Sequence, residues 1–358
     1  MPLLPYLMVA CCFLLCFLPL ATSAQITAEQ DISSLSVTPA GGPAQLQWTL
    51  APGMWLSSGW TEYQIDFGGW FYTEDLSDSI AYRGRSKLEF PLDDIMIGPE
   101  LRLIKSDDRG QVWDARLGLY INVNDPDHFM LDHDWIEVGA AGFNEKVSYT
   151  ESRAESKHMV IDAWLTRRLL AGRKFSLGIT AGLQYQRILQ DEIGYDGWQL
   201  TTEGREPVSG AEKAIVYEIK YLLPGLGMQG QWRPNRYSVM ELRVVPLAAF
   251  VWDRDDHVLR HKEMKASPTG SGVTVGLSGR VEFRQKGGLI PFLGLAIETS
   301  ELSAKGTQTQ TWYADETYED PTSGETVVVA QKGTTISDIE YKTKLKHVRV
   351  GIQAGIMF

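Results

Sequence analysis

Val348-Arg349-Val350-Gly351-Ile352-Gln353-Ala354-Gly355-Ile356-Met357-Phe358 closes the chain. Its even positions are Val, Val, Ile, Ala, Ile and Phe; its odd positions are Arg, Gly, Gln, Gly and Met. Successive side chains of a β-strand point to opposite faces, so this stretch has one continuously apolar face and one that is mostly small or polar. Such a strand suits a barrel wall with lipid outside and a polar lumen inside. A sandwich strand shares the alternation but gives no reason to stop on an aromatic residue. A terminal aromatic on this kind of strand is expected to be read by the outer-membrane barrel assembly machinery.

Working back from that strand, the same alternation predicts ten strands, near 61–73, 83–104, 113–133, 155–169, 174–189, 212–233, 237–257, 270–285, 289–304 and 337–358. Bacterial barrels have an even number. Ala115-Leu117-Leu119-Ile121-Val123 set against Arg116-Gly118-Tyr120-Asn122 shows the pattern clearly. Connections alternate in length. Short turns are expected at 106–110, 171–173, 233–236 and 285–288, and long polar loops at 134–154, 190–211, 258–269 and 305–336, with a shorter one at 74–82. Short periplasmic turns opposite long extracellular loops are the barrel pattern. Trp60, Trp70, Trp113, Trp135, Trp232 and Trp252 fall near strand ends, as aromatic girdles do. The expected fold is therefore all-β: a ten-stranded antiparallel transmembrane β-barrel of the outer membrane. A soluble all-β domain with regular turns is the competing reading.

Composition agrees with a barrel without demanding one. The 358 residues are 44% hydrophobic, with a mean hydropathy of −0.17, and only alternate residues of a barrel strand need be apolar. The one long apolar run, Leu3 to Leu20, is followed by the small residues Thr22-Ser23-Ala24, so residues 1–24 read as a signal peptide. No Lys or Arg precedes Arg83, an unusual feature for such a leader. An uncleaved anchor is the competing reading. All three cysteines (Cys11, Cys12 and Cys16) lie in this segment. Leu15, before Cys16, is too large for a lipoprotein cleavage box. Cleavage would leave neither a disulfide framework nor a thiolate metal site. Residues 25–60, low in charge and rich in Ser, Gly and Pro, read as an N-terminal extension of unknown role, and 61–358 as the barrel.

Two acidic clusters stand at the tops of strands three and seven: Asp132-His133-Asp134-Trp135 and Asp253-Arg254-Asp255-Asp256-His257. Period two puts Asp132 and Asp134 on one face, and Asp253, Asp255 and His257 on another. With both termini periplasmic, both clusters sit at the extracellular rim, where a small barrel can face them across the lumen. Carboxylates beside an imidazole can activate water. No serine or cysteine with a matching base supports a covalent route. For Asp132 and Asp134 taken alone, a solvated rim or a calcium site competes. No calcium-loop motif accompanies them, and no metal is expected.

The chain resembles the omptin family of outer-membrane endopeptidases in these residues. That family pairs an Asp-x-Asp-Trp stretch with a distant Asp-x-His couple, matched by Asp132, Asp134 and Trp135 and by Asp255 and His257. Tyr149-Thr150-Glu151-Ser152-Arg153 and Gly210-Ala211-Glu212-Lys213-Ala214-Ile215-Val216-Tyr217 also resemble family stretches. The likeness runs from about residue 83 to the end and fails before it. It implies an outer-membrane endopeptidase with its active-site cleft outside, in which Asp132, Asp134, Asp255 and His257 are catalytic. Asp255 would orient His257, which takes the proton from water. The resemblance further implies cleavage beside basic residues, with Asp253 lining the pocket for the side chain before the cut. Glu74 is the candidate for the pocket's second acidic wall. A net charge of −11 also favours cationic peptides and exposed protein loops as substrates, and no nucleic acid is expected as a partner. Omptins need lipopolysaccharide; Arg187 and Lys220 match its basic contacts, whereas Leu183 and Tyr185 replace a tyrosine and a glutamate of the pattern. No other cofactor is implied. An omptin-fold adhesin or surface-binding barrel with little proteolysis is the alternative function, because loops set both specificity and adhesion. A passive pore is disfavoured by the narrow lumen of ten strands.

Overall fold

The computed structural model describes residues 45–72, 79–106, 112–138, 144–201, 203–283, 288–319 and 324–358. The signal-peptide reading of residues 1–24 therefore lies outside the described residues, as does Glu74. The strands are β1 (Gln45–Tyr72), β2 (Ser79–Pro91), β3 (Ile95–Ser106), β4 (Val112–Asn122), β5 (Met130–Val138), β6 (Asn144–Ala171), β7 (Phe175–Thr201), β8 (Gly204–Trp232), β9 (Ser238–His257), β10 (Lys262–Ala266), β11 (Thr269–Glu282), β12 (Ile290–Trp312), β13 (Glu316–Glu319), β14 (Thr326–Ala330) and β15 (Thr335–Met357). All pairings are antiparallel, and β15 closes the sheet by pairing with both β12 and β1. The result is a ten-stranded barrel. Three of its walls are interrupted: β2 and β3 form one, β4 and β5 another, and β10 and β11 a third. Near the termini the ring runs β1-β3-β4-β6-β7-β8-β9-β11-β12-β15. At the loop end β2, β5 and β10 replace β3, β4 and β11.

Strand β1 changes partner at Gly59, pairing with β3 up to Leu56 and with β2 from Trp60. Gly59 has φ +152°, and a Cβ there would lie 2.1 Å from the Lys346 carbonyl oxygen. Only glycine tolerates both conditions.

The lower half of β1 corrects the reading of 25–60 as an extension, because residues 45–60 are barrel wall. Leu46, Trp48, Leu50, Met54, Leu56 and Trp60 point outward and are exposed, while Thr49, Ala51, Trp55 and Ser57 point inward and are buried. A strand with lipid outside and uncharged residues inside is as poor in charge as an unstructured extension can be. The long loops at 134–154 and 190–211 are corrected too. Strands β5 to β8 continue through most of them as projecting hairpins.

An apolar belt circles the outside. On β9 it comprises the alternate positions Leu242, Val244, Phe250 and Trp252, and Arg254 begins the charged surface above. On β15 it runs through Ile352 and Ile356, with Phe358 just beyond. Trp113 and Trp232 sit at its turn-side border, Trp60 and Trp252 at the other. So large an exposed apolar surface requires a partner, and its form suits lipid. Inside, at belt level, arginines and carboxylates fill the lumen. Arg102 bridges Asp114 and Glu241 at 2.5 Å each. Arg243 pairs with Glu298 at 2.8 Å, and Arg349 joins Glu298. The cavity among them measures about 940 Å³ including open solvent.

Candidate active site

Above the belt the lumen changes character from ion pairs to tyrosines and acids. Inward positions of β9 bring Asp253 and Asp255 to 3% and 0% exposure. Met130 is buried on β5, so Asp132 and Asp134 share its inward face, while His133 stacks on Trp135 outside. In the loop-end ring β6, β7 and β8 stand between β5 and β9 on one side, and five strands on the other. The two couples thus face each other across the barrel, as the strand count predicts. Burial lifts Asp132 well above the usual carboxylate range, and the charges of Asp134 and Asp255 lift it further. Asp134 accepts a 2.7 Å hydrogen bond from the Ser148 hydroxyl.

The His257 Nε2 lies 3.2 Å from Asp255 Oδ2. With Nε2–H donating there, Nδ1 is the basic nitrogen. The same Asp255 oxygen accepts the Tyr63 hydroxyl, from the far wall. Tyr63 stacks on Tyr341 at 5.5 Å between ring centres, and Phe90 stacks on Tyr217 at 3.8 Å. These rings floor the cleft.

Asp253 lies beneath Asp255. Burial pushes it up to about 8. The phenols of Tyr341 and Tyr217 face it and favour its charged form, but neither closes to full hydrogen-bond geometry, and both Asp253 oxygens stay without a partner. Glu192 on β7 is wholly buried and also has neither oxygen bonded; burial, then Asp255 and Asp191, push it up to about 9. The backbone register links Glu192 through Ile215 to His257. One further oxygen each of Asp132 and Asp255 is also buried and unbonded. Unpaired buried acceptors are costly, and a cation or a bound donor would relieve them. Arg260 opposes the rise of Asp132, and Lys262 stands opposite His257 on β10, with its ammonium 5.5 Å from the Trp312 ring. Burial, then Arg260, lowers it to about 8.

Thus Asp132, Asp134, Asp253, Asp255 and His257 come together. Arg187 and Lys220 do not join them. They are neighbours on the outer wall just above the belt, and both reach Glu218, at 2.7 and 3.1 Å. Among the described residues no group of three or more His, Cys, Asp or Glu is arranged to hold a metal ion. Tyr63, Glu192, Lys262 and Tyr341 went unread in the sequence. Tyr63 and Tyr341 lie on strands that the alternation predicts, whereas Glu192 and Lys262 lie in stretches read as the loops 190–211 and 258–269, which β7 and β10 occupy. Which strand faces which across a lumen does not follow from alternation.

No family model matches the sequence, and no curated protein matches it. Among solved structures, the chain is similar to the outer membrane protease OmpT from Escherichia coli, with a TM-score of 0.58 and 14% identity over 91% of this chain and 99% of that one. At that identity the likeness establishes the barrel fold.

Proposed function

We propose that this chain is an omptin-like endopeptidase of the outer membrane, hydrolysing cationic peptides or exposed protein loops beside basic residues. The observation that carries the reading is the meeting of an Asp–Asp couple and an Asp–His couple at the loop end of the barrel, beside buried carboxylate oxygens that have no hydrogen-bond partner. The His257 Nδ1 takes a proton from water as the water oxygen bonds to the scissile carbonyl carbon. Asp255 holds the imidazole and offsets its positive charge. Asp132 and Asp134 hold the water from the other side, with Asp132 carrying their shared proton. When the C–N bond breaks, the imidazolium returns the proton to the leaving amine. Asp253 receives the basic side chain before the cut. A lipid phosphate binding at Arg187 and Lys220 competes with Glu218, so lipopolysaccharide acts there by displacing that carboxylate. The test is the refolded barrel, with and without lipopolysaccharide, on a quenched peptide containing arginine. Cleavage beside arginine is expected. Binding of the peptide without cleavage would favour the surface-binding barrel instead.

A further inference from the structure

Tyr63 lies on β1 and Asp255 on β9, with β15, β12 and β10 between them in the loop-end ring. No sheet hydrogen bond ties these two walls, yet the phenol crosses the lumen and donates to Asp255 Oδ2, the oxygen that also faces His257 Nε2. The ring is clamped: it is fully buried, stacked on Tyr341, and packed at 5.8 Å against Tyr217 and 6.1 Å against Phe90. A clamped donor fixes the direction of the carboxylate it touches, and so of the imidazole beyond it.

The chemistry of the donor also matters. Burial, and then the charge of the Asp255 carboxylate it donates to, hold the proton of this phenol in place well above the ordinary tyrosine range. A lysine here would neutralise Asp255 and weaken its hold on an imidazolium. A phenol supplies a hydrogen bond and leaves the negative charge available.

We infer that Tyr63 is a positioning residue for the Asp255–His257 couple, fixing the carboxylate from across the barrel so that His257 presents Nδ1 to the water. The inference rests on the proteolytic reading above, and it assigns to β1 a part in the site that neither couple reveals.

The test is Tyr63→Phe, which keeps the stacked ring and removes one hydroxyl. In the refolded barrel kcat on the arginine peptide should fall about ten- to a hundredfold, the effect of losing a hydrogen bond to a charged group, while KM stays within about twofold. In an Asp255→Asn background the same substitution should cost little more, because the orienting charge is already gone. A Tyr63→Phe barrel with wild-type kcat would overturn the inference, as would an equal loss in both backgrounds, which marks a packing role. A wild-type barrel without turnover removes the proteolytic reading but still leaves the contact measurable. Carbethoxylation of His257, followed by mass spectrometry with the exposed His128 as reference, should speed up severalfold in Tyr63→Phe, since the second ring nitrogen is released. Unchanged His257 reactivity there would show that the phenol does not fix the couple.

Discussion

Neutralising Asp253 is the sharpest test of how the cleft selects its substrate. This carboxyl is buried, and burial shifts it up to about 8, so at pH 7 it is mostly protonated. An arriving guanidinium must first displace that proton, which costs about 1.4 kcal/mol for one pH unit. Loss of one partner from a buried, hydrogen-bonded charge pair costs about 2–5 kcal/mol. The difference, about 0.6–3.6 kcal/mol, means that Asp253→Asn lowers kcat/KM on an arginine peptide by about threefold to a few hundredfold at pH 7. Above pH 8 the proton is already gone, so the gap between wild type and variant should widen by up to about tenfold. A matched peptide with alanine before the cut should show little of either effect. The assay is steady-state cleavage of both peptides at pH 6, 7 and 9. Equal losses on both peptides would mean that Asp253 supports the catalytic geometry, and a gap that does not widen with pH would refute a protonated Asp253.

His257→Ala and Asp255→Asn should each remove most turnover while the barrel stays heat-modifiable on gels, and serine- and cysteine-directed reagents should do nothing; near wild-type cleavage by His257→Ala would end the water-activation mechanism. Asp253, Asp132 and Glu192 hold protons more tightly folded than unfolded, so they contribute stability at acid pH that is lost as pH rises from the ordinary carboxylate range, through about 8 for Asp253 and about 9 for Glu192. The heat-modification temperature should therefore fall from pH 5 to pH 9, and Asp253→Asn should flatten the fall; an unchanged slope would count against it. Glu241→Gln, which deprives Arg102 and Arg116 of a shared partner in the lumen, should lower that temperature at every pH, because breaking a buried pair costs about 3–5 kcal/mol. An epitope inserted beside Lys332 should be reachable on intact cells and one beside Asn235 should not; the reverse labelling would put the cleft in the periplasm.

What could be read in the sequence follows from which interactions are local. Alternation along Val348–Phe358 and its counterparts is a property of single strands, so the number of strands and the inward sets Asp132/Asp134 and Asp253/Asp255/His257 could be read directly. The lower half of the first strand, residues 45–60, escaped for a physical reason. It carries its apolar residues at even positions, but Pro52, Gly53 and the serines at 57 and 58 dilute the pattern to the point where it resembles a linker. The projecting hairpins escaped because above the lipid both faces of a strand are wet, and alternation loses its meaning. Tyr63 was invisible for a third reason, since its partner Asp255 lies 192 positions away.

That third reason also bears on why such a site would be built on a barrel. Each couple is set by one strand, and a strand holds its own alternate side chains in fixed relation, but nothing within β5 or β9 fixes their separation across the lumen. Closure of the ring through β15 fixes it coarsely. The aromatic floor of Tyr63, Phe90, Tyr217 and Tyr341 then fixes it finely, because stacked, buried rings tolerate little displacement. Below that floor the lumen is braced by arginine–carboxylate pairs, so the walls cannot drift apart without breaking buried charge pairs. Above it, carboxylate oxygens are left unbonded. The stiffness of the lower half is what lets the upper half hold acids unpaired: a softer barrel would move to satisfy them with its own cations.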